Sequence, residues 1–434
     1  MARFVEVSVS YPIPHNWKWD SIGNYAKIKS GYPFDSEKFS DDPTGRQPLI
    51  RIRDILREST NTFTDECCPE EYIIHAGDIL IGMDGDFNVG KWNGDDALLN
   101  QRVCYIQSNS NCLLNDYLYY YLPGILKIIN NATPSVTVKH LSANTLRKTQ
   151  IPLPPLAEQQ RIVDRIESLF ARLDEAKEKA QTVVDSFETR KAAILHKAFT
   201  GELTAKWRRT HGLSLDTWKE VAADSLFEYV TSGSRGWAKY YDESGAVFIR
   251  MGNLDHGTIE LDFSDIQHVK LPNKAEGQRS RIRKNDILIS ITADVGMVGL
   301  VRNDDFEGYI NQHIALARPV MSESAEFIAW YLVSDIGLKQ MQEKQRGATK
   351  AGLSLNDIRA LQLKIPLIEE QNEILKVIKM WIGKEQQSQE AAEAVLDQID
   401  LMKKSILARA FRGELGTNDP SEESAVELLK RTIL

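Results

Sequence analysis

The sequence predicts an α+β fold: two mixed α/β domains related by a pseudo-two-fold axis and separated by two long helices that form an antiparallel coiled coil. Three observations predict it. Residues 158–203 align without a gap onto 370–415, at a constant offset of 212, with sixteen identities in 46 pairs. That period is too long for a solenoid unit and reads as a duplicated domain. Apolar residues within these segments recur at alternating steps of four and three, the spacing of a coiled-coil seam. Finally, the stretch joining the first helix to the second domain is too short to run back along a helix.

The first domain spans 1–150. EYIIHAGDILIGM (71–83) has strand composition, and NDYLYYYLPGILKII (115–129) has helical periodicity. Residues 151–204 form the first long helix, entered through the prolines of IPLPPLAEQ (151–159), which end the preceding structure. Its seam is Ile162, Ile166, Leu169, Leu173, Val183, Phe187 and Ile194, with a polar break at Arg190. The second domain spans 205–362, with a strand at NDILISI (285–291) and helical periodicity in EFIAWYLVSDIGLKQM (326–341). Residues 363–416 form the second long helix, with Ile374, Ile378, Trp381, Val395, Ile399 and Ile406 on its seam and a polar break at Glu385. The tail, 417–434, reads as a short helix capped by Ser421.

Outside the helices the repeat loosens. Leu141-Ser142, Asn144, Arg147 and Pro154 match Leu353-Ser354, Asn356, Arg359 and Pro366 at the same offset. Trp17 resembles Trp218, Ser30-Gly31 resembles Ser232-Gly233, and Asn100-Gln101 resembles Asn311-Gln312, each with small gaps. Two divergent domains on one scaffold suit two related modules of different specificity.

A helix of about 41 residues is roughly 60 Å long. The linker of about 14 residues reaches roughly 50 Å when fully extended. Parallel helices would require it to travel back the whole helix length, so the helices pair antiparallel. Residue i then lies near 572 − i, which brings Arg190 within a turn of Glu385 as a register-setting polar pair.

A chain of 434 residues has ample core for two or three domains, and no apolar run approaches a membrane span. The N-terminus lacks the apolar core of a signal peptide. Cys67, Cys68, Cys104 and Cys112 have no metal-ligand spacing and read as free thiols in a reducing cytoplasm. The net charge of −8 argues against nucleic-acid binding by the chain as a whole. Basic residues nevertheless gather at Arg46, Arg51, Arg53 and Arg57, and at Arg279, Arg281, Arg283 and Lys284, so a local basic face is open to an acidic protein. Ordinary solvated side chains are the plainer reading of each cluster.

No catalytic constellation emerges. GDFNVGKW (85–92) has phosphate-loop glycines and Lys91, but Trp92 stands where Mg²⁺ coordination needs Ser or Thr. A strand-edge turn is the better reading. No metal site is expected, and the chain is expected to perform no chemistry alone.

The doubled order of motifs resembles the specificity subunits of type I restriction–modification systems. The resemblance rests on IPLPPLAEQQRIV (151–163) with IPLIEEQNEIL (365–375), on ILHKAFTGELT (194–204) with ILARAFRGELG (406–416), and on VTVKHLS (136–142) with ATKAGLS (348–354). It implies two target recognition domains, each reading one half of a bipartite, asymmetric site in double-stranded DNA, with the coiled coil setting the half-site spacing. It implies two methylation subunits docked on the helices and restriction/motor subunits as further partners. S-adenosylmethionine, ATP and Mg²⁺ are expected on those partners, not on this chain.

Base readout favours Arg, Lys, Asn and Gln, with smaller polar side chains on phosphates. The candidates in the first domain are Ser30, Tyr32, Arg46, Lys91, Arg102 and Lys139. Those in the second are Ser232, Ser234, Arg235, Trp237, Lys239, Gln312, Arg346 and Lys350. Asn100-Gln101 and Asn311-Gln312 have a second reading, as a structural turn common to both halves. Two rival functions remain: a coiled-coil scaffold whose end domains bind proteins, and a stand-alone DNA-binding regulator.

Overall fold

In the computed structural model, the structure describes residues 10–434 apart from 58, 135–137, 234, 272–276, 304, 346–351, 426 and 428–434. The chain divides into two compact units, Met1–Lys179 with Val395–Leu434, and Ala180–Ala394. Each unit contains part of both long helices.

In the first unit, an antiparallel sheet orders its strands Ala26–Ser30, Val103–Ser108, Ile79–Gly82 and Val89–Lys91. The 85–92 segment is accordingly the turn into, and the strand at, one edge of that sheet. A second sheet orders Phe63–Thr64, Gln47–Ile50, Ala97–Leu99 and Ile73–Ile74, with the middle pair parallel. A ribbon pairs Lys18–Ser21 with Gln150–Leu153, and so ties the start of the domain to the entry of the first long helix. Helix Asn115–Ala132 places Tyr117, Leu118, Leu122 and Leu126 on the core shared with Ile79, Ile81 and Ile106. Their spacing of one, four and four residues keeps them on one helical face.

The second unit repeats this plan, with its first sheet matching strand for strand and its second differing at the edges. One sheet orders Phe227–Ser232, Ile314–Pro319, Ile287–Ser290 and Val298–Leu300. The other orders Tyr241–Asp242, Gln267–Val269, Ala246–Ile249 and Gly308–Ile310, again with one parallel pair. The ribbon here is Lys219–Ala222 with Gln362–Ile365. The single helix of the first unit becomes two, Ala325–Val333 and Asp335–Lys344, because Ser334 Oγ accepts from the Gly337 amide and caps a new start.

Residues that match between the halves hold equivalent scaffold bonds. Ser142 and Ser354 cap short helices. Arg147 donates to the Ile28 carbonyl at 3.0 Å, and Arg359 to the Val230 carbonyl at 3.1 Å. Trp17 Nε1 reaches the Glu158 carboxylate at 2.8 Å, and Trp218 Nε1 reaches Glu370 at 3.0 Å. Gly31 and Gly233 sit so close to the Asn100 and Asn311 turns that an added Cβ would lie 2.1 and 2.2 Å from those carbonyl oxygens. Ser-Gly and Asn-Gln are therefore two sides of one packed turn.

The helices run antiparallel where they meet. In the first unit Asp174 pairs with Lys403 at 2.5 Å and Lys177 with Asp400 at 3.7 Å, one number rising as the other falls. In the second unit Arg190 Nε donates to Glu385 at 2.5 Å. The observed register lies about one helical turn from 572 − i. The second long helix is uninterrupted over Ile368–Ala410. The first is not: it runs Leu156–Asp185 and Phe187–Phe199, broken at Ser186. There Arg190 Nη2 takes the Val183 carbonyl at 3.1 Å, entering the helix's own hydrogen-bond ladder, a recognised cause of kinks.

Seam burial is uneven. Ile162, Ile166, Ile374 and Ile378 are fully buried because each is also roofed by its unit's core. Phe187 and Ile399 are buried, while Leu169, Leu173, Val183, Ile194 and Ile406 are half-buried. Trp381 and Val395 depart from the expected seam: both are 42 % exposed. Two helices alone leave a flank of each seam side chain open, and the Trp381 ring instead lies under Lys384 Nζ at 5.3 Å. In the tail, Ser421 does not cap; its amide and hydroxyl both bond Asp419 Oδ1. Ala425 is buried, with its amide on the Asn16 carbonyl. Among the described residues no helix is long and apolar enough to cross a membrane.

Candidate nucleic-acid interface

Each unit carries a groove lined with arginine. In the second unit, residues 279–283 alternate exposed Arg279, Arg281 and Arg283 with buried Ser280 and Ile282, with Arg279 and Ser280 in the short 3-10 helix Gln278–Ser280 and the chain extended from Arg281 onward. Over 281–283 the extended backbone sends alternate side chains to opposite faces, so Arg281 and Arg283 project together, and Arg279 joins them at the same groove from the preceding turn. The segment is held on the sheet by an isolated bridge from Arg281 to Tyr309 and by the Ile282 amide on the Gly308 carbonyl at 3.0 Å. These arginines rim a groove of about 460 Å³ floored by Tyr229, Ile282, Phe306 and Arg318. Arg318 is committed: it makes a bidentate pair with fully buried Asp286, both contacts at 2.7 Å. Among the described residues, Arg279, Arg281 and Arg283 form no ion pair.

In the first unit a groove of about 530 Å³ is lined by Arg51, Arg53, Arg102, Asn88, Asn100 and Gln101, with Phe34, Phe39 and Leu56 as apolar walls. The Arg51 guanidinium lies 5.7 Å over the Phe39 ring, and Arg53 donates to Thr62 Oγ1 at 2.9 Å. Guanidinium groups, amides and ring faces together offer phosphate contacts, base-edge hydrogen bonds and stacking surface.

The residues singled out from sequence are distributed unevenly around these grooves. Arg102 lines the first groove, more than half exposed, with Asp84 at 3.5 Å. Lys91 pairs with Asp116 at 2.6 Å, Arg46 with Asp42 at 3.2 Å, and Lys139 donates to Asn130 at 2.7 Å, so each is engaged by its own domain. Ser30 pairs with Cys104 in the sheet, and Tyr32 packs edge-on against Phe34 and Tyr72. In the second unit Arg235 and Lys239 are exposed, with Lys239 Nζ 4.9 Å over Tyr240. Trp237 differs from a DNA-facing aromatic: it is 5 % exposed and packs on Phe248 and Tyr309, because an indole on a tight turn has a core to fill. Ser232 lies in the sheet opposite Ala315, and Gln312 hydrogen-bonds His313 at 3.0 Å. Ser234, Arg346 and Lys350 lie outside the described residues. Arg51, Arg53, Arg279, Arg281 and Arg283 were not among the candidates, although arginine at every second position was the available signal.

A family model described as "Type I restriction modification DNA specificity domain" matches residues 14–183 and again 216–393. This chain belongs to the type I restriction–modification specificity family. It is 33 % identical over 420 residues to the type I restriction enzyme EcoBI specificity subunit of Escherichia coli, covering 93 % of this chain and 87 % of that relative. It is 23 % identical to the EcoKI specificity subunit of Escherichia coli (strain K12), over 93 % of this chain and 90 % of the relative. Two solved structures share the fold. One, concerned with complex assembly and conformational transition of the type I R-M system, gives a TM-score of 0.67 at 19 % identity and covers 94 % of this chain and all of that one. The HsdS subunit from Thermoanaerobacter tengcongensis gives 0.57 at 18 % identity, over 93 % and 99 % of the two chains. The twofold family match coincides with the two arginine-lined units.

Proposed function

We propose that this specificity-family chain reads DNA through the two grooves, each meeting one half of a bipartite and asymmetric site. The target recognition domains are residues 1–150 and 205–362. Membership of the family and the three unpaired arginines on one edge of the second unit carry the reading. The groove linings differ, which favours two different half-sites over a palindrome. Segments 151–204 and 363–416 dock two methylation subunits and set the half-site spacing, and restriction/motor subunits complete the assembly. Adenine methylation then belongs to the methylation subunit, which must extrude its target base to reach it. That assigns S-adenosylmethionine, ATP and Mg²⁺ to the partners and leaves this chain non-catalytic, acting on cytoplasmic DNA.

The test is to map methylated adenines in DNA from cells carrying the complete system, with wild-type chain and with Arg281→Glu. A bipartite motif lost in the variant, with assembly intact, supports the reading. Unchanged methylation in the variant removes the second groove from it. A purely protein-binding scaffold predicts no methylation motif at all.

A further inference from the structure

The first groove has a feature that the second lacks. Leu56 is 68 % exposed on its lip, beside Arg53, Arg102 and Gln101. A single exposed leucine is ordinary on a protein surface. This one follows a hydrogen-bonded, inward-anchored pair of residues. Buried Asp54 accepts from the Arg51 amide at 3.0 Å and from Thr60 Oγ1 at 3.1 Å, and its carbonyl takes the Arg57 amide at 2.8 Å. Ile55 is 2 % exposed, and its carbonyl sits where a Cβ on Gly90 would lie 2.2 Å away. With residues 54 and 55 anchored inward, the chain presents Leu56 outward between the exposed side chains of Arg53 and Arg57. The repeat makes the contrast sharp. IRIRDILR (50–57) corresponds to IRMGNLDH (249–256), which places Gly252 opposite Arg53, Asp255 opposite Leu56 and His256 opposite Arg57.

We propose, building on the DNA-reading role above, that Leu56 is a wedge: it inserts between stacked base pairs of the half-site met by the first unit while the flanking arginines hold the backbone. Proteins that bend DNA use an apolar side chain among cationic ones in this way, separating a base step to gain contact area. The occupant of the groove is thus duplex DNA, chosen by the charge of Arg51, Arg53 and Arg102. The distortion falls in one half-site only. The wedge contributes to specificity through the ease of separating that step, not through base-edge hydrogen bonds.

The experiment uses the assembled complex with methylation subunits and a duplex carrying the mapped site. 2-Aminopurine replaces each purine in turn, methylated adenines excepted. Wild type is expected to brighten the probe at one step of one half-site. Leu56→Ala loses that brightening and weakens cognate binding by about tenfold, the scale of a single mismatched pair. Leu56→Phe retains the brightening. Wild type that binds the site and brightens no probe, or Leu56→Ala that brightens like wild type, overturns the wedge and leaves the DNA-reading role standing. Failure of the wild-type complex to bind its mapped duplex overturns both.

Discussion

Glu158 and Glu370 occupy equivalent places, each bonded by a tryptophan, yet their surroundings differ. Glu370 faces the buried guanidinium of Arg208 and the hydroxyl of Thr204. Glu158 has the Asn418 amide instead, at 2.9 Å, and its Oε1 and Thr417 Oγ1 have no hydrogen-bond partner among the described residues. Burial pushes the Glu158 carboxyl above its ordinary value of 4.5. A carboxyl with a raised folded-state pKa binds its proton better folded than unfolded. The contribution of Glu158 to stability is therefore fully present below the ordinary value and is lost as pH rises through the folded one. Glu158→Gln is expected to be neutral or stabilising by up to ~1 kcal/mol at pH 7 and to flatten that fall. Glu370→Gln strands the Arg208 charge and costs about 3 kcal/mol. Thermal midpoints at pH 5 and pH 7 check both. Gly31→Ala, which drives a Cβ into the Asn100 carbonyl, is expected to cost about 2 kcal/mol by the same measurement. At this scale, matches between the two halves were legible because equivalent bonds demand equivalent residues. The groove arginines were not: whether Arg281 is free and Arg318 committed depends on Asp286, which only folding brings beside Arg318.

Among the elements, the long helices were the most readable, since a seam is a local period. Their pairing direction was readable too, because a linker of fixed reach excludes the parallel arrangement. The break at Ser186 was not, since it comes from a side chain entering its own helix's ladder. Arg190 joins this break to the partner helix, bonding both the Val183 carbonyl and Glu385. Arg190→Leu or Glu385→Leu alone is expected to cost about 1–3 kcal/mol, each leaving a half-buried charge unpaired. The double variant is expected to recover most of that loss. Additive midpoints in that double-mutant cycle would show that the pair contributes no coupling.

For the whole molecule, an acidic chain whose basic residues are confined to local grooves is expected to bind DNA through few phosphate contacts, so its affinity is expected to depend only shallowly on salt. The logarithm of the binding constant falls by about 0.9 per contacted phosphate for each tenfold rise in salt. Arg281→Ala is expected to reduce that slope by about one, and Lys91→Ala, whose charge is already met by Asp116, to leave it unchanged. Titrating the assembled complex against duplex DNA at several salt concentrations checks both. Duplication, two long antiparallel helices and family membership are determined by the sequence alone, because repeats, periodicity and chain reach are properties of order along the chain. The tertiary structure decided which charges are available, that Trp237 belongs to a core, and that Leu56 stands on a lip. Those follow from burial and from partners far apart in sequence, which no local pattern encodes.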